Sequence, residues 1–108
     1  MPLIQSRHDG QARLQIVGSF TIFQATDFKA QLLELITDFG ESLEIDLSAV
    51  EEMDTAGLQL LLLLRRELRA QHKNMVCVGM SPVVENMMEM LQLQHVFYVA
   101  PVAGRVQA

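Results

Sequence analysis

The sequence predicts a single α/β domain: a mixed, mostly parallel sheet of about four to five strands, opened by an antiparallel hairpin and packed with three to four helices. Three observations predict it. Two short apolar runs flank the Asp9-Gly10 dipeptide near the start. From residue 43 onwards strand-like and helix-like runs alternate, an order that implies parallel pairs with right-handed crossovers. The length of 108 residues suits one domain that buries its core without staples.

Taken in order, "PLIQSRH" and "ARLQIVG" flank Asp9-Gly10 and read as a hairpin. Gly18 punctuates the chain, and "FTIF" leads into "QATDFKAQLLELITDF". There Phe28, Leu32, Leu35 and Phe39 recur at helical spacing, with Gly40 placed as a stop. "LEIDL" alternates as a strand does and is expected to end at Leu47, with "SAVEEM" bridging to the next helix. That helix is expected from about Ala56 to Ala70, followed by a buried strand in "NMVCVG". Ser81-Pro82 is a strong helix start, a hydroxyl N-cap followed by proline at the first helical position. Val84, Met87, Met88 and Leu91 supply the apolar stripe of this helix, and "HVFYV" is expected to form a last strand. The domain takes in residues 1–108, with a core from about 3 to 99 and a loose tail over 100–108.

Composition narrows the function. Half of the residues are hydrophobic and the formal charge is −5, with a mean hydropathy of +0.22. This disfavours disorder and a uniform affinity for nucleic acid or anionic membrane. Cys77 is the single cysteine, so no internal disulfide forms, which fits a reducing compartment. "MPLIQSRHDG" lacks the basic and apolar regions of a signal peptide. The leucine run is far shorter than the ~20 residues needed to span a bilayer. These features point to a cytoplasmic domain without membrane insertion.

The stretch that asks for explanation is "DLSAVEEMDTAGLQLLLLL", from Asp46 to Leu64. In open α/β sheets, functional groups gather where a strand's carboxyl end passes into the next helix. Asp54-Thr55-Ala56-Gly57 stands at such a boundary. Either Asp54 or Thr55 can cap the helix, and small Ala56 and Gly57 permit close backbone packing or leave room for an approaching group. The positive end of the helix also suits a phosphate on Thr55.

In the helix itself Gly57, Leu61, Leu64 and Leu68 share one face, flanked by Leu60. Leu58 and Leu62 lie on an adjoining face that runs on to Arg65 and Arg69, while Leu63 sits towards Gln59 and Arg66. So wide a stripe is either buried on two sides or partly exposed as a partner surface.

Other chemistry is sparse. His8, His72 and His95 have no ligand-like spacing with one another or with Cys77, so neither a metal nor a cofactor is expected. The sequence contains no Gly-x-x-x-x-Gly-Lys phosphate loop and no Gly-x-Ser-x-Gly nucleophile turn. A hydrolase built on Thr55 has no histidine or carboxylate base assignable by motif.

"IDLSAVEEMDTAGLQLLLLL" resembles the central motif of STAS domains, the family of bacterial anti-sigma-factor antagonists. The likeness covers nearly the whole chain: "GSFTIFQATDFKAQLLELI" resembles the family's entry into its first helix, and "NMVCVGMSPVVENMMEMLQL" its late strand and final helix. The resemblance implies a non-enzymatic STAS domain that binds a histidine-kinase-like ATPase acting as kinase and anti-sigma factor. Phosphorylation of the hydroxyl in the turn breaks that complex and a phosphatase restores it. Carried over, the phospho-acceptor is Thr55, and Asp54, Thr55, Ala56, Gly57, Leu58 and Leu62 form the partner-binding surface of a monomer or weak homodimer. Antagonists of the well-known sigma switches mostly carry serine where this chain has Thr55. The Asp-Thr-small-Gly-Leu form also resembles STAS proteins associated with chemotaxis kinases. It further resembles STAS subunits that bind the ATPase of lipid-transport ABC complexes without a phosphoswitch.

Overall fold

The computed structural model describes residues 3–8, 11–35 and 42–97. Strands β1 (Leu3–His8) and β2 (Gln11–Phe20) pair antiparallel, from Leu3 opposite Ile16 to His8 opposite Gln11. The hairpin is therefore present, while its Asp9-Gly10 turn lies outside the described residues. Gly18 does not end β2. It sits inside the strand at φ +86°, where the register against the next strand shifts on both sides of it. Glycine reaches this left-handed conformation without the steric cost of a β-carbon.

Helix α1 (Ile22–Leu35), strand β3 (Ser42–Met53), helix α2 (Thr55–Ala70), strand β4 (Asn74–Met80) and helix α3 (Pro82–Met90) follow. The sheet order is β1-β2-β3-β4, with β2, β3 and β4 parallel. The α/β class, the opening hairpin and the mixed sheet stand as expected, with four strands and three helices among the described residues. The expected α1 positions Phe39 and Gly40 lie outside those residues, as does the tail over 100–108.

Alternation along β2 and β3 divides the sheet into two unlike faces. Ala12, Leu14, Ile16, Leu43, Ile45 and Leu47 are buried and join Leu32, Leu61, Leu64, Leu68, Val84 and Met88 from the helices in one core. The other face carries polar pairs matched across the β2–β3 register. Arg13 donates to Glu44 Oε1 at 3.0–3.1 Å, Gln15 Nε2 to Asp46 Oδ2 at 3.4 Å, and Gln11 Nε2 to the Ser42 carbonyl at 2.8 Å. Cross-strand pairing of this kind keeps that face polar and paired.

Three element ends differ from expectation. β3 continues to Met53, so "SAVEEM" is strand and no bridge. β4 pairs with β3 only as far as Leu47 opposite Met80, but β2 runs on, holding Ser19 opposite Glu52 and Phe20 opposite Met53. At the other end, His95, Val96 and Phe97 lie in turns, and Tyr98 and Val99 fall outside the described residues. α3 closes with Gln92 at φ 56° and the Leu93 N–H on the Met88 carbonyl at 2.8 Å. That Schellman-type closure reverses the chain and buries Phe97 in the core. Within α3, Ser81 caps the helix as expected, its Oγ accepting from the Val84 N–H at 3.3 Å with Pro82 behind it. Met88 is buried, whereas Met90 is 74% exposed.

Candidate functional site

The site forms where the carboxyl ends of β2 and β3 lie side by side. Phe20 pairs with Met53, so the next residues, Thr21 and Asp54, open α1 and α2 next to each other. Phe20 is fully buried, and its ring stacks on Phe28 of α1 with centroids 6.1 Å apart. This anchors α1 to the end of β2.

Asp54, and not Thr55, is the N-cap of α2. Its backbone is extended, and its Oδ1 accepts from the N–H groups of Ala56 at 3.0 Å and Gly57 at 3.2 Å. These are two of the donors that a helix start leaves without intrahelical partners. The second oxygen, Oδ2, accepts from the Ile22 N–H at 3.0 Å, the first residue of α1. One carboxylate therefore holds the starts of two helices. Thr55 follows as the first residue of α2, with its side chain exposed.

The start of α1, whose Ile22 N–H is held by Asp54, presents two exposed apolar side chains, Ile22 at 56% and Phe23 at 77% exposure. Sequence reasoning missed both. The signal that could have found them is Thr21-x-x-Gln24, the spacing of a capping box. Gln24 Oε1 accepts from the Thr21 N–H at 3.0 Å and the Thr21 hydroxyl at 2.7 Å. That start places Ile22 and Phe23 in the first helical turn instead of in an apolar lead-in.

Between α1 and α2 runs an open groove of about 290 Å³, lined among others by Ile22, Ala25 and Lys29 on one side and Ala56, Gln59 and Leu63 on the other. A second hollow of about 240 Å³ continues it along α2 through Gln59, Leu62, Leu63 and Arg66. Of the expected partner-binding residues, Asp54, Thr55, Ala56 and Leu62 thus lie at or near this surface. Gly57 and Leu58 do not. Both are buried, Leu58 at 4% exposure. The helical wheel set Leu58 beside the core face, but α2 packs against α1, β3 and β4 together. Its buried arc, from Leu60 through Gly57 to Leu58, therefore spans roughly 160° at 3.6 residues per turn.

Cys77 lies apart from this surface, buried in β4 with its thiol donating to the Gly79 carbonyl at 3.4 Å. Burial pushes its pKa up to about 11, and the nearby Asp46 charge adds to the rise. Such a thiol is a packing group, since the reactive form is the thiolate. Among the described residues no helix is long and apolar enough to cross a membrane.

Comparison with known proteins agrees with the fold. An anti-sigma factor antagonist from Mycobacterium paratuberculosis superposes with a TM-score of 0.80 at 23% identity, over 94% of this chain and 86% of that one. SpoIIAA, an anti-sigma factor antagonist, in its unphosphorylated form gives 0.76 at 15% identity, over 94% and 89%. The Bacillus cell fate determinant SpoIIAA in its phosphorylated form gives 0.71 at 14% identity, over 94% and 92%. The family model described as "Mlab, STAS domain" matches residues 4–100. With that match over nearly its whole length, the chain belongs to the STAS domain family.

Proposed function

We propose that this chain is a non-enzymatic, anti-sigma-factor-antagonist-like switch module, acting in the cytoplasm as a single STAS domain over residues 1–108. Its partner is a histidine-kinase-like ATPase that serves as anti-sigma factor, or a chemotaxis-type kinase. The docking surface is the joint start of α1 and α2, with Ile22 and Phe23 as apolar anchors and the groove past Ala56 and Leu62 beside them. Phosphorylation of Thr55 releases the partner, and a phosphatase restores binding.

The observation that carries this reading is the setting of Thr55: an exposed side chain on the first residue of a helix whose capping Asp54 also holds the start of α1, where Ile22 and Phe23 are exposed. A phosphate there brings roughly −1.5 to −2 charges to the favourable end of the helix, so the fold tolerates it. A docked partner instead meets unpaired charge beside Asp54 within a desolvated contact, which weakens the complex. The similarity to a protein solved in both unphosphorylated and phosphorylated forms supports a phosphate being carried on this fold.

The test is mass spectrometry of the protein recovered from its own host, joined to binding titrations of Thr55→Ala and Thr55→Glu against the kinase-like ATPase. Phosphate on Thr55, tight binding by Thr55→Ala and weak binding by Thr55→Glu are expected. Unmodified Thr55 in every condition, with Thr55→Glu binding like wild type, would leave a constitutive adaptor such as a STAS subunit on the ATPase of a lipid-transport ABC complex.

A further inference from the structure

We infer that Asp54 is a positioning residue that ties the first turn of α1 to that of α2, and that a phosphate on Thr55 acts by breaking this tie. The second half rests on the phosphoswitch reading above; the first half stands on geometry alone.

The two oxygens of Asp54 have separate tasks. Oδ1 serves α2 through Ala56 and Gly57, and Oδ2 serves α1 through Ile22. At the start of α1 the local partners are already engaged with each other, because the Thr21 N–H and hydroxyl both donate to Gln24 Oε1. The Ile22 N–H is one of the donors a helix start cannot satisfy internally, and it turns to a carboxylate 32 positions away. The residue so held, together with Phe23, carries the exposed apolar side chains at the start of α1. Asp54 thereby sets the geometry of the surface without being its apolar anchor.

A phosphate on Thr55 is attached to the residue next to this carboxylate. Its oxygens compete for the same first-turn N–H groups of α2, and its charge repels the carboxylate. Displaced from Ala56 and Gly57, Asp54 no longer presents Oδ2 to Ile22. The phosphate then does more than add charge to the docking surface: it frees Ile22 and Phe23 from their fixed place in it.

Asparagine separates the two tasks. Its amide oxygen still caps α2, since asparagine is a good N-cap, but its NH₂ is a donor and cannot accept from Ile22. Asp54→Ser is a second such variant, with one short oxygen for the cap.

The experiment is amide-resolved NMR of residues 1–108, recording chemical shifts and hydrogen exchange for wild type, Asp54→Asn, Asp54→Ser and protein carrying phosphothreonine at position 55 installed during synthesis. In both variants the Ile22 amide should shift and exchange about tenfold faster, the scale of losing a hydrogen bond to a charged acceptor. The Ala56 and Gly57 amides should stay within about twofold of wild type while the other oxygen still caps them. The phosphoprotein should show the same Ile22 signature. An Ile22 amide that keeps its wild-type shift and exchange in Asp54→Asn and Asp54→Ser overturns the tie. An Ile22 amide unchanged only in the phosphoprotein overturns its role in the switch. Because the phosphate is installed, neither result depends on whether the host modifies Thr55, so failure here is distinguishable from failure of the docking reading.

Discussion

Gly57 lies against the backbone carbonyl of Phe20 so closely that a β-carbon at position 57 would overlap the Phe20 oxygen. This contact sets α2 directly on the end of β2 and brings Asp54 within reach of Ile22. The obstacle is main chain, which cannot rotate aside as a side chain can. Gly57→Ala should therefore cost about 3 kcal/mol, at the upper end of ordinary overpacking. At Gly79 the nearest obstacle is Asp46 Oδ1 at 3.0 Å, the end of a side chain, and Gly79→Ala should cost about 1 kcal/mol or less. Urea unfolding of the two variants checks the contrast.

Leu58, Leu61 and Leu64 are all buried in α2, whereas Leu62 and Leu63 are half-buried along the groove. Truncation to alanine should cost about 2–5 kcal/mol at each of the first three sites. Leu62→Ala and Leu63→Ala should each cost about 1 kcal/mol and weaken the partner complex instead. Equal losses of stability at all five positions would remove the physical basis for a docking edge on α2.

Thr55 is exposed and Asp54 is the cap, so the two positions should separate in thermal melts. Thr55→Ala should stay within about 0.5 kcal/mol of wild type, as exposed substitutions do. Asp54→Ala should lose about 1–2 kcal/mol, since it strips the cap from α2 and a partner from α1. A Thr55→Ala loss as large as that of Asp54→Ala would contradict this division of roles.

The Cys77 thiol sets an alkaline limit. Its folded pKa is raised from 9.0 to about 11. Between those values the unfolded chain has released a proton that the folded protein still holds, so stability falls as pH rises. This contribution is complete below about pH 9 and is lost as pH rises to about 11, with a size of about 3 kcal/mol at most. Urea titrations across that window should show a steeper decline for wild type than for Cys77→Ala. At neutral pH a thiol reagent should label Cys77 only at the rate of unfolding.

Local signals in the sequence determined a good part of this protein. Asp54 or Thr55 as the cap, the helix beyond it to Ala70, and Ser81-Pro82 as the opening of α3 all rest on residues within one helical turn of each other. Such neighbours interact whatever the rest of the chain does, which is why capping and periodicity are legible in one dimension. The choice of Asp54 over Thr55 was left to the folded backbone. The extent of β3 was tertiary too. Residues from Ser48 to Met53 stay extended because β2 continues alongside them as far as Phe20, and no local pattern reports the length of a neighbouring strand. A helical wheel places Leu58 and Leu62 at adjacent angles, but only the packing of α1, β3 and β4 around α2 decides that one is covered and the other half-open. The bond from Asp54 to Ile22 spans 32 positions. It exists because parallel pairing of Phe20 with Met53 aligns the two strand ends, and that alignment is a property of the assembled sheet.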